Sequence, residues 1–106
     1  MSVLKINNEN YKDEVLESDK PVLIDFYADW CGPCRTMSPI IDEIAEEKSD
    51  SIKVGKVNVD EAQDLAMEYE VMSIPTIVII RNGKVEKTFV GVRSKSEILG
   101  AIGDIS

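Results

Sequence analysis

The chain has two cysteines, and they stand three positions apart in Trp30-Cys31-Gly32-Pro33-Cys34. A pair so spaced can close and open a small disulfide, and so carry two electrons as a dithiol. A structural bridge gains most from closing a long loop in the unfolded chain, and this loop is too short for that. Metal binding is the other use of paired thiolates. Two thiolates alone complete neither a tetrahedral zinc site nor an iron–sulfur cluster, so only a site shared between two copies would serve. Histidine is absent from the sequence, which removes the usual general base and the commonest zinc ligand. Redox chemistry is the reading, with no bound metal or cofactor beyond the Cys31–Cys34 disulfide.

Three positions apart on the first turn of a helix, the two sulfurs share a face. The first N–H groups of that helix lack partners, and its dipole is positive at that end. Both favour the thiolate, which is the nucleophile. Such settings lower a cysteine pKa from about 8.5 to roughly 3.5–7.5, a general range and not one derived from this chain. Pro33 suits a first helical turn, where its missing N–H had no partner anyway. Gly32 removes bulk beside Cys31. Cys31 lies nearer the loop and is expected to be the more exposed. It would attack a substrate disulfide, and Cys34 would then resolve the mixed disulfide.

Asp25 interrupts the apolar run Val22-Leu23-Ile24-Asp25-Phe26-Tyr27 six residues before Cys31. A carboxylate buried there resists ionisation, and it could take a proton from Cys34. The plainer alternative is a strand-end Asp reaching solvent. Pro75 precedes Thr76-Ile77-Val78-Ile79-Ile80, and residue statistics alone favour a trans bond before it. Pro39, inside the helix after Cys34, removes a backbone hydrogen bond and is expected to bend it.

The elements around these residues follow from periodicity. Val3–Ile6 reads as a strand and Asn10–Glu17 as a helix. Val22–Tyr27 suits a strand buried on both faces. A long helix then runs to about Lys48, with Met37, Ile40, Ile41, Ile44 and Ala45 on its apolar face. Lys53–Val59 is a third strand, and Ala62, Leu65, Ala66 and Tyr69 mark a short helix. Thr76–Arg81 and Val85–Val90 form a hairpin around Asn82-Gly83. Ser94 and Glu97 make a capping box for the last helix, which buries Ile98, Leu99 and Ile102. The order βαβαβαββα predicts an α/β fold with parallel crossovers and a terminal antiparallel pair.

The 106 residues suffice for one core, and the net charge of −8 comes from 12 basic against 20 acidic residues. That charge repels phosphate backbones and anionic lipid, so neither nucleic acid nor a membrane is an expected partner. Met1–Asn10 does not resemble a signal peptide, and no apolar run reaches the roughly 20 residues that span a bilayer. The expected location is the cytoplasm, where a lone Cys-X-X-Cys is more often catalytic than structural.

With these residues in view, the chain resembles the thioredoxin family nearly end to end. The matching segments are Lys20-Pro21-Val22-Leu23-Ile24-Asp25-Phe26, Ala28-Asp29-Trp30-Cys31-Gly32-Pro33-Cys34, Pro39, Lys56-Val57-Asn58-Val59-Asp60, Ser73-Ile74-Pro75-Thr76, Asn82-Gly83 and Gly91. A Cys-X-X-Cys beside a βαβ pattern is itself a mark of that family, so the two readings are not independent. The resemblance implies a central mixed five-stranded sheet flanked by four helices, as a single domain over residues 1–106. It implies a cis Ile74–Pro75 bond whose backbone pairs with an extended substrate segment. Trp30, Gly32, Pro33, Ile74, Pro75 and Gly91 would line an apolar docking surface. Asp25 would be the buried proton acceptor with Lys56 modulating it, although Lys56 alone reads as a solvated strand lysine. The implied activity is reduction of protein disulfides by a monomer recharged by thioredoxin reductase.

Gly-Pro between the cysteines is similar to the reducing members, whereas oxidases and isomerases of that fold usually carry histidine there. Tyr27 stands where many members have tryptophan, and Met72 where many are polar. An oxidase or isomerase, and a non-catalytic binding module, are the competing readings.

Overall fold

The computed structural model describes residues 3–105. Along the chain lie β1 (Val3–Lys5), a π-helical turn (Lys12–Leu16), β2 (Val22–Tyr27), α1 (Gly32–Glu47) and β3 (Lys53–Asn58). They are followed by α2 (Gln63–Glu68), β4 (Thr76–Arg81), β5 (Lys84–Val90) and α3 (Lys95–Ile105). The strands form one mixed five-stranded sheet in the order β1-β3-β2-β4-β5.

β3 runs parallel to both β1 and β2, as crossovers predict. The expectation of a parallel crossover fails at β4, which lies antiparallel to β2. β4 starts at the end of the sheet where β3 finishes, with Thr76 beside Phe26, and runs back.

The predicted helix over Asn10–Glu17 is a single wider turn, closed by Glu17 N–H donating to Lys12 O at 3.0 Å. So short a segment has little helical stability of its own, and its shape is set by burying Val15. α1 runs through Pro39 without interruption. Pro39 lies on the exposed face, where water can reach the carbonyl that lost its donor. In the β4–β5 hairpin Asn82 (φ 54°) and Gly83 (φ 77°) both take the left-handed backbone that a two-residue turn of this twist requires. Ser94 and Glu97 cap α3 reciprocally: Glu97 N–H donates to Ser94 Oγ, and Ser94 N–H to Glu97 Oε1.

The sheet divides the core. On one side Leu23, Ile77 and Ile79 pack under α1 and α3. On the other, Ile24, Phe26 and Val78 pack with Tyr11 and Tyr69. Alternation along β2 puts Asp25 on the side of Leu23, facing α1.

Candidate active site

Cys31 is the N-cap of α1, with extended backbone (φ −90°, ψ 112°), and its Sγ accepts the Cys34 N–H at 3.2 Å. The cap is held by Cys31 N–H donating to Ala28 O at 3.2 Å. A helix N-terminus lacks acceptors for its first N–H groups, and here sulfur fills that place. The two cysteines form a disulfide with their Cα atoms 5.3 Å apart. The expectation that Cys31 is the more exposed is not met: both residues are 4 % exposed. Tyr27, Val59 and Ile74 pack against the pair. What separates the two cysteines is environment.

On the Cys31 side lies the loop before β4. The Ile74–Pro75 bond is cis, against the residue statistics and in line with the resemblance. The Ile74 carbonyl oxygen stands 3.9 Å from Cys31 Sγ. Gly91 N–H donates to Pro75 O at 2.9 Å, which ties the end of β5 to this loop. At φ 88° Gly91 takes backbone that a side chain would strain. Trp30 is 67 % exposed, and its Nε1–H donates to Asp60 Oδ2 at 2.8 Å. Asp60 is oriented in turn by its own N–H donating to Asn58 Oδ1 at 2.9 Å. Between Trp30 and Ile74 opens a hollow of about 390 Å³, lined also by Val59, Ala66, Val71 and Met72. Gly32 and Pro33 are exposed at the start of α1, with open space where a Cβ on Gly32 would sit.

On the Cys34 side a second cavity, of about 180 Å³, brings Asp25, Cys34, Ser38 and Lys56 to one space. Asp25 is 4 % exposed and does not reach solvent as a strand-end residue would. Among the described residues its Oδ1 has no hydrogen-bond partner. Burial is the chief cause of a pKa pushed up to about 7; Lys56 opposes that rise and Asp42 adds to it. Lys56 is exposed, faces Asp25 in the β2–β3 register, and holds its ammonium 5.7 Å from the centre of the Tyr27 ring.

The geometry thus gathers the predicted residues around the disulfide, with Gly91 joined through Pro75. Sequence reasoning missed Asp60, which fixes the Trp30 ring, and Asp42, which bears on Asp25. Asp42 had a readable signal. Cys34, Ser38 and Asp42 recur at four-residue spacing and so share a helix face. Asp60 had none, because its partner lies thirty residues away.

The thioredoxin family profile matches residues 2–104. This chain belongs to the thioredoxin family. Among its relatives, the thioredoxin of Rickettsia felis is 47% identical over 94 residues, covering 89% of this chain and 90% of that protein. The thioredoxin of Porphyra purpurea is 47% identical over 98 residues, covering 92% of each. The chloroplastic M-type thioredoxin of Chlamydomonas reinhardtii is 45% identical, covering 92% of this chain and 69% of that protein. Family membership and a Cys-X-X-Cys pair at disulfide distance make the protein a thiol–disulfide oxidoreductase acting on protein disulfides. Its electron carrier is the redox-active disulfide itself. Among the described residues there is no cluster of three or more potential metal ligands, and no helix is long and apolar enough to cross a membrane.

Proposed function

We propose that the protein reduces disulfides in other proteins, with Cys31 attacking and Cys34 resolving. The Cys31 thiolate attacks one substrate sulfur, and the other leaves as a thiol after taking a proton. Cys34 then gives its proton to the Asp25 carboxylate and attacks Cys31. The Cys31–Cys34 disulfide forms and the second substrate thiol departs. Two electrons pass to the substrate, and thioredoxin reductase restores them. Lys56 favours the ionised Asp25 that this transfer needs. Trp30, Gly32, Pro33, Ile74, Pro75 and Gly91 form the surface on which an extended substrate segment lies, with backbone pairing beside Ile74–Pro75.

What carries this reading is the asymmetry of the two sulfurs. Cys31 Sγ receives a helix N–H at 3.2 Å, while Cys34 shares a cavity with the buried Asp25. A donor at sulfur favours the thiolate nucleophile. A base beside the other sulfur suits the step in which a thiol must first lose its proton. A dithiol that works as a reductant needs a reducing compartment, so the proposed location is the cytoplasm.

The test is covalent trapping with a disulfide-bonded protein such as insulin. Cys34→Ser should accumulate a mixed disulfide through Cys31, and Cys31→Ser should accumulate none and lose turnover. Adduct formation through Cys34 instead would reverse the roles. Thiol trapping in cells should find the pair mainly reduced; a mainly oxidised pair would favour an oxidase.

A further inference from the structure

We infer that Tyr27 is a positioning residue: its ring holds the Lys56 ammonium at the rim of the Asp25 cavity, and this placement sets how readily Asp25 takes a proton. Asp25 and Tyr27 are two apart on β2 and so lie on the same face of the sheet. Lys56 is directly opposite Asp25 on β3, which makes Tyr27 its diagonal neighbour. Lysine and carboxylate nonetheless form no ion pair within 4.0 Å among the described residues, and Asp25 Oδ1 stays unpartnered. The ammonium stands 5.7 Å from the centre of the Tyr27 ring. That lies within the roughly 6 Å reach of a cation over an aromatic face.

The position of this charge is what remains adjustable around Asp25. From α1, Cys34, Arg35, Ser38 and Asp42 bear on the cavity, and from the turn Asp29 does. Arg35 is tied to the cavity's own edge, its Nη2 donating to Asp29 O at 2.8 Å. On β4 the residue opposite Asp25 is the uncharged Ile77. Lys56 is exposed and long, so without a fixed contact its charge would spread through solvent and be screened. Held over the ring, it stays at the rim of the cavity beside the buried Asp25 carboxyl, where charge interactions are stronger than in bulk water. Tyr27 itself is anchored at one end of this group, half-buried with its phenol pushed above its usual pKa, chiefly by burial. The kinetic consequence rests on Asp25 being the proton acceptor of Cys34; the positioning does not.

The experiment follows the Asp25 carboxyl by carbon NMR in the oxidised protein, through its titration near pH 7. Tyr27→Phe keeps the ring and should leave the midpoint in place. Pentafluorophenylalanine at Tyr27 keeps the shape and reverses the charge of the ring face. It should raise the midpoint by a substantial share of the rise produced by Lys56→Met. In the Lys56→Met background it should add nothing. An equal rise with and without Lys56 would overturn the inference, as would no rise in the fluorinated protein when Lys56→Met gives one. No rise on Lys56→Met would overturn it too. In the reduced protein the pH profile of mixed-disulfide release should move with the titration. A titration that moves while that profile stays keeps the positioning and removes Asp25 as the acceptor.

Discussion

Asp25 is the costliest residue the site contains. Buried among apolar strands with one oxygen unpartnered, its carboxyl has its pKa pushed up from 3.8 to about 7. Below about pH 7 the folded protein therefore favours the neutral form. Between pH 3.8 and about 7 the folded chain keeps a proton that the unfolded chain has released, so stability falls as pH rises through that window. Above it the cost is complete, on the order of 4 kcal/mol. Asp25→Asn should thus be more stable than the parent at pH 8 by up to about that amount, with the gain shrinking to near zero below about pH 4. Urea unfolding of the oxidised proteins across that range measures it, and a gain independent of pH would count against a buried carboxyl as the cause. The sequence made Asp25 conspicuous by interrupting an apolar run. Its partners were less legible, because each comes from another element.

The elements carry this site by how they end. α1 begins on a cysteine, so the helix supplies an N–H to the sulfur. The loop leading into β4 holds the cis Ile74–Pro75 bond, and its Ile74 carbonyl oxygen stands 3.9 Å from that sulfur. Turn and cap signals were readable because they act within a few residues: Asn82-Gly83 and the Ser94–Glu97 box are local chemistry. Close approach between elements was not. Gly55 in β3 sits between Leu4 and Ile24 in the sheet. A Cβ there would lie 2.6 Å from Cγ1 of the buried Ile6. Gly55→Ala should destabilise by about 1–3 kcal/mol despite improved strand propensity, through overpacking. Denaturant midpoints measure this, and a neutral result would mean that Ile6 moves aside at little cost.

Over the whole molecule the sheet carries a packed core on each face, with Asp25 on one and Phe26 on the other. Phe26 is fully buried, with its ring centre 5.7 Å from that of Tyr69, on the face away from Asp25. Phe26→Ala should cost about 3–5 kcal/mol of stability, the usual range for emptying an aromatic site. The pH window assigned to Asp25 should survive, because the truncation lies across the sheet. Unfolding measured at several pH values tests both parts, and loss of that window would show that the two faces are coupled.

The sequence by itself determined the order of the elements, the hairpin turn, the cap of the last helix and the chemistry of two sulfurs at a helix mouth. All of these depend on periodicity or on groups a few residues apart. Only the tertiary structure decided that β4 runs antiparallel to β2, that both cysteines are equally buried, and that Lys56 rests over Tyr27 instead of against Asp25. Those outcomes depend on distances between segments remote in the chain, which periodicity and local preference do not report.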